Sequence, residues 1–132
     1  MVHPVSRRTA LLGAAGTLTL TGCSVDSLRP TPPAPAPDPD AALIDTVASR
    51  IVAVRAIAPP RLRAMHADHL RALGAAVPPV TGRPAATAAV RSAETDLRAL
   101  LQDACVGATD PALVRLLASM AAAVAQGTQE WT

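Results

Sequence analysis

Proline divides this chain into pieces. Of its 13 prolines, the pair Pro59-Pro60, the pair Pro78-Pro79, Pro84 and Pro111 punctuate everything beyond residue 40, and the stretches between them hold none. Proline lacks a backbone N–H and breaks a helix interior, yet it fits the first helical turn. Each proline-free stretch carries apolar residues at helical spacing. Ile44, Val47, Ile51, Val54 and Ala58 share one face of a first helix, with Asp40 placed as its N-cap. Pro60 opens a second helix, where Leu62, Met65, His69, Leu70 and Leu73 line up and Gly74 stands near the end. Pro84 occupies the first turn of a third, whose face holds Val90, Leu97, Leu101 and Ala104 before Val106-Gly107 ends it. Asp110-Pro111, an N-cap followed by proline at the first helical position, starts a fourth. Its inner face is Leu113, Leu116, Leu117, Met120 and Val124, while Arg115, Ser119 and Ala122 point outward. No segment alternates with period two between turn signals, so no strands are expected. The sequence predicts an all-α domain over 41–132, an antiparallel four-helix bundle with short connections.

The core of such a bundle must be aliphatic and alanine-rich, because the chain has no Phe, no Tyr and a single Trp. Alanine favours helix and close helix approach but buries little surface. Stability is expected toward the low end of ~5–15 kcal/mol, and a homodimer would bury more area.

Charge excludes one class of partner. All 12 basic residues are arginines, against 10 acids, for a net charge of +2. Arg7 and Arg8 account for the surplus, so the rest of the chain is balanced. With one Trp there is no arginine–aromatic platform, and nucleic acid is not an expected partner.

Arg7 and Arg8 begin an export pattern. An uncharged run from Thr9 to Gly22 follows them and ends in small residues before Cys23. It is too short for a transmembrane helix, which needs roughly 20 residues, and suits the apolar region of a signal peptide. Ser6-Arg7-Arg8-Thr9-Ala10-Leu11 resembles the twin-arginine motif, with Ala10 in place of a bulky apolar residue. Leu20-Thr21-Gly22-Cys23 resembles a bacterial lipobox, whose cysteine is diacylated and becomes the mature N-terminus. The expected organisation is a signal peptide over 1–22, then a lipidated Cys23 and Pro-rich tether over 23–40, then the helical domain. Acyl chains such as palmitate contribute ~0.8 kcal/mol per buried CH₂, so two or three hold a protein at a membrane without a span. The Pro-rich part of the tether reaches about 30 Å as polyproline II. The expected location is the extracytoplasmic face of the cell membrane.

Three polar residues fall on inward faces. At about 100° per residue, His66 and His69 lie on either side of the Leu62–Leu73 line while Asp68 points away, and Glu94 lies close to Val90 and Leu101. Two imidazoles and a carboxylate can form a buried hydrogen-bonded pair, or they can hold a transition metal. The first and fourth helices offer no inward His, Asp or Glu, and no other cofactor is expected.

These segments resemble a ferritin-like domain of unknown function found in exported, often twin-arginine-dependent, actinobacterial proteins. Leu62 to Leu73 is similar to that family's second helix, Ser92-Ala93-Glu94 to the inward Glu of its third, and Leu116 to Gly127 to its last. The resemblance implies the four-helix fold over roughly residues 41–130. It also implies an acid where Met65 stands and a Glu-x-x-His pair where Val124 and Gly127 stand. A ferritin-like di-metal centre uses four carboxylates and two His. The resemblance therefore carries the fold further than the dinuclear chemistry, leaving Glu94, His66 and His69 as candidate metal ligands.

Cys105, the remaining thiol once Cys23 is lipidated, lies at the edge of an apolar face and is expected to be buried or to pair between chains. Trp131 is expected to pack against the bundle end or to anchor a partner. No phosphate loop, G-x-S-x-G or His-Glu-x-x-His occurs. The expected function is a non-enzymatic binding or scaffold module at the membrane, with a metal-binding protein or oxidoreductase built on Glu94, His66 and His69 as the alternative.

Overall fold

The four helix starts and stops fall close to the proline and glycine signals. The computed structural model describes residues 36–129, with α1 over Ala41–Ile57, α2 over Pro60–Ala72, α3 over Thr87–Gly107 and α4 over Pro111–Gln129. The described residues contain no strand, so the fold is all-α. No helix among them is long and apolar enough to cross a membrane. Arg7, Arg8, Cys23, most of the tether and Trp131 lie outside the described residues.

Local chemistry sets each boundary. Pro59 is extended and Pro60 takes the first position of α2, so the chain turns sharply out of α1. α2 ends in a Schellman turn: Gly74 has φ +69°, its N–H donates to the Arg71 carbonyl, and the Ala75 N–H donates to the Leu70 carbonyl at 2.9 Å. That left-handed conformation favours glycine. At the start of α4 the Asp110 carboxylate accepts the Ala112 N–H at 2.9 Å, as an N-cap should. The third helix departs from expectation, because it begins at Thr87 and not around Pro84. The Ala85 N–H donates to the Ile57 carbonyl at 2.9 Å, which holds this stretch extended along the end of α1 and delays the helix.

The predicted inner faces meet in one aliphatic core. Val47, Ile51 and Val54 of α1, Leu70 of α2, Leu97, Leu101 and Ala104 of α3, and Leu117, Met120 and Val124 of α4 pack together. Ala58, Leu62 and Val90 form a smaller cluster at one end. Ile44 and Leu116, expected inside, are only half-buried. Each fully buried aliphatic side chain contributes about 1.5–3 kcal/mol, which suits a core without aromatic rings.

α3 lies against α4 and α1, α1 lies against α2, and α2 meets α4 along a short contact. The pairs α2–α3 and α1–α4 nowhere approach within 8 Å between Cα atoms, so they form the diagonals of the arrangement. The connection 73–86 is not the short link expected. Leu73 shares a depression with Asp40 and Asp110 at one end of the bundle. The chain then passes Arg55, which donates to the Pro78 carbonyl, and Arg63, which donates to the Gly82 carbonyl at 2.7 Å. It reaches the last residue of α1 at Ala85.

Asp40 also departs from its expected role. Its side chain makes no cap hydrogen bond to α1. The residue is 3% exposed, and its carboxylate accepts the Thr109 and Asp110 N–H groups at 2.9 Å each. The last residue assigned to the tether is therefore part of the folded body.

Candidate functional site

His66 and His69 are one turn apart on α2, a spacing that turns both toward the interior while Asp68 between them stays exposed. Glu94, on α3, follows Val90 and precedes Leu97 on the buried face of that helix. Neither helix touches the other through its backbone, so two long side chains are needed to span the diagonal. His66 Nε2 lies 2.8 Å from Glu94 Oε1, and both side chains are 0% exposed. Among the residues singled out from the sequence, this is the pair the fold brings into contact.

His69 is beside that pair rather than in it. Its ring stands 5.7 Å from the His66 ring at 67°, an edge-on packing, and the residue is 9% exposed. Burial, reinforced by the neighbouring His66 and opposed by Asp68, lowers its pKa from 6.5 to about 4. His69 is thus held neutral at physiological pH. His66 Nδ1, His69 Nδ1 and Glu94 Oε2 are buried without a hydrogen-bond partner in the protein.

The donor set does not fit a ferritin-like di-metal centre. No group of three His, Cys, Asp or Glu side chains among the described residues is arranged to hold a metal ion. The expected trio of His66, His69 and Glu94 is correspondingly reduced to a hydrogen-bonded pair with a packed neighbour. The positions at which the ferritin-like resemblance implies further ligands hold packing residues. Met65 is half-buried against the core, Val124 is a core residue, and Gly127 faces α2. A Cβ at Gly127 would lie 3.1 Å from Leu62 Cδ2, so a side chain there requires Leu62 to shift.

Chemically, the pair can share a proton between imidazole and carboxylate inside an aliphatic core. The surface depressions open elsewhere. One of about 420 Å³ is bounded by Pro59, Pro84 and Val90, and one of about 400 Å³ lies between α3 and α4. One of about 270 Å³ lies by Asp38, Leu73 and Asp110. None of the three is lined by His66, His69 or Glu94. Cys105 borders the second of these depressions half-buried, and its thiol faces the Val114 carbonyl at 3.7 Å.

Sequence reading missed two structural roles. Asp40 resembles an ordinary N-cap, and nothing local announces that its partner is the α3–α4 link. Arg55 and Arg63 sit at a helix end and a helix start, but their partners are carbonyls of the long connection. The basic residue in the last turn of α1 was the available signal. No protein family, curated protein or solved structure matches the chain.

Proposed function

We propose that the chain is a lipid-anchored helical module on the extracytoplasmic face of the cell membrane, working as a binding or scaffold protein rather than turning over a substrate. The observation that carries the second half is the sealed His66–Glu94 pair. His66 Nε2 and Glu94 Oε1 meet at 2.8 Å with both side chains at 0% exposure, and none of the three depressions is lined by either residue. The first half rests on sequence order: paired arginines, an uncharged run, small residues and Cys23, followed by a Pro-rich tether.

We read the bundle as antiparallel and ferritin-like. Support comes from the course of 73–86, which leaves the end shared with Asp40 and Asp110 and rejoins the chain beside Ile57. One long crossover between two helical hairpins is the ferritin-like connectivity. The dinuclear chemistry of that class is not part of this reading, since Val124 and Gly127 stand where the resemblance implies ligands.

The test is metabolic labelling of the full chain with an alkyne-bearing palmitate in a bacterial host. Label on the wild-type protein, its loss in Cys23→Ser, and movement of that variant from membrane to soluble fraction are the expected results. An unlabelled wild-type protein, or label that survives Cys23→Ser, would remove the anchor.

A further inference from the structure

Among the described residues, arginines gather at one end of the bundle and aspartates at the other. Around the α1–α2 turn stand Arg55 at the end of α1 and Arg61 and Arg63 at the start of α2, with Arg83 and Arg91 flanking the start of α3. Hydrogen bonds hold Arg55 and Arg63 at one pole. Arg55 reaches the carbonyls of Arg63 and Pro78, and Arg63 reaches those of Ala56 and Gly82. Ala58, Leu62 and Val90 pack together beneath. The acceptors are neutral carbonyls, so these bonds leave the guanidinium charges of Arg55 and Arg63 uncancelled. Asp68 is the only acidic residue between Asp45 and Glu94, and it pairs with Arg71 toward the other end of α2. That other end gathers Asp38, Asp40 and Asp110 around one depression. At the same end opens a groove of about 420 Å³, lined by Pro59, Pro84, Ala85, Thr87 and Val90, with Arg83 and Arg91 next to its lining residues in sequence.

We propose that this arginine-rimmed, apolar-grooved pole docks onto an anionic lipid surface, the bilayer that holds the anchor, and leaves the acidic pole facing outward. The inference rests on the lipid-anchor reading above. Charge complementarity selects the occupant. Guanidinium groups bind phosphate in bidentate fashion, and each arginine near an anionic bilayer multiplies partitioning about fivefold. A groove walled by proline and valine also accepts lipid carbon, which a purely electrostatic partner would not use. Reach is sufficient: a chain of the length from Cys23 to Asp40 can span at most roughly 55 Å, against ~30 Å for the longest helix. An anchor entering at the acidic pole therefore still lets the basic pole meet the same bilayer.

The experiment uses the exported, lipidated full chain in phosphatidylcholine vesicles, with and without phosphatidylglycerol. Its readout is quenching of Trp131 by brominated lipid. Trp131 is the single tryptophan, and the last described turn of α4 before it shares a depression with Arg61 and Leu62. Quenching several-fold stronger with phosphatidylglycerol, and lost at high salt and in Arg83→Glu/Arg91→Glu, is the expected result. Equal quenching in both vesicles overturns the proposal. So does unchanged quenching in the charge-reversed variant once circular dichroism shows it helical. Quenching indifferent to lipid but rising with protein density would assign the pole to the acidic end of a second copy, and would also overturn it. Failure of the anchor alone looks different: the protein would float only with vesicles containing phosphatidylglycerol, which supports docking without lipidation.

Discussion

Asp40 holds Thr109 across 69 positions of sequence. Its carboxylate accepts the Thr109 N–H at 2.9 Å and the Thr109 hydroxyl at 3.1 Å, and a further bond comes from the Asp110 N–H at 2.9 Å. Asp40 itself is kept in place by Asp38, which accepts its N–H at 2.8 Å. α1 and α4 make no backbone contact, so this cluster ties one diagonal of the bundle at its end, as His66 and Glu94 tie the other at its centre.

Removing the Asp40 carboxylate should therefore loosen α4 more than α1. Asp40→Ala leaves the Thr109 and Asp110 donors without their acceptor, and we expect a melting temperature lowered by several degrees. Amide exchange should accelerate at Thr109, Asp110 and the first turn of α4. Hydrogen bonds from the Thr109 and then the Asp110 backbone lower the Asp40 pKa from its ordinary 3.8. The carboxylate's contribution is thus complete above that value and disappears as pH falls through the lower folded-state pKa. An acid limb unchanged in Asp40→Asn would contradict this.

The diagonal pair should behave as a unit. Glu94→Ala strands His66 Nε2 in an aliphatic core and should cost about 3–5 kcal/mol in urea unfolding. Replacing both partners together, His66→Leu with Glu94→Leu, removes the stranded group and should recover most of that loss. A double variant as unstable as the single one would show that volume, not pairing, sets the cost.

His69 should give the protein a second, milder acid sensitivity. Its folded pKa is about 4 against 6.5 in an unfolded chain, so the unfolded state binds the proton first as pH falls. Stability is complete above about pH 6.5 and declines toward pH 4, a loss of roughly 3 kcal/mol over that window. Below it the residue contributes no further slope. His69→Gln should flatten the window in thermal melts run across it. A slope that persists in that variant would place its origin elsewhere.

Most of the fold was legible because helices report themselves locally. Val47, Ile51 and Val54, or Leu97, Leu101 and Ala104, repeat with the period of the helix, and prolines mark the breaks. The inward aim of His66 and Glu94 follows from the same periodicity. Their contact does not, since it depends on which helices stand diagonally opposite. Asp40 shows the limit most clearly: it has the residue type and position of an N-cap, while its partners are fixed by tertiary packing. The late start of α3 has the same cause, because the Ala85–Ile57 hydrogen bond is long-range and Pro84 is compatible with helix or extended chain.

The final prediction concerns Val124 and Gly127, where the ferritin-like resemblance implies a Glu-x-x-His pair. In Val124→Glu/Gly127→His the carboxylate replaces a side chain that is 1% exposed, and the imidazole must grow from a Cβ 3.1 Å from Leu62 Cδ2. The first change buries a polar group with no partner on α4, and the second displaces a core leucine and Met65. We expect a loss of at least about 3 kcal/mol, with melting broadened or helicity reduced, and no stoichiometric metal by elemental analysis. Each single variant should also be destabilised, with Val124→Glu the worse because its site is the better sealed. A double variant that melts like the wild type and takes up iron or manganese in a fixed ratio would overturn this. It would show that the interior between α2, α3 and α4 can still open to a metal, and that the apolar filling of these positions is incidental to the fold.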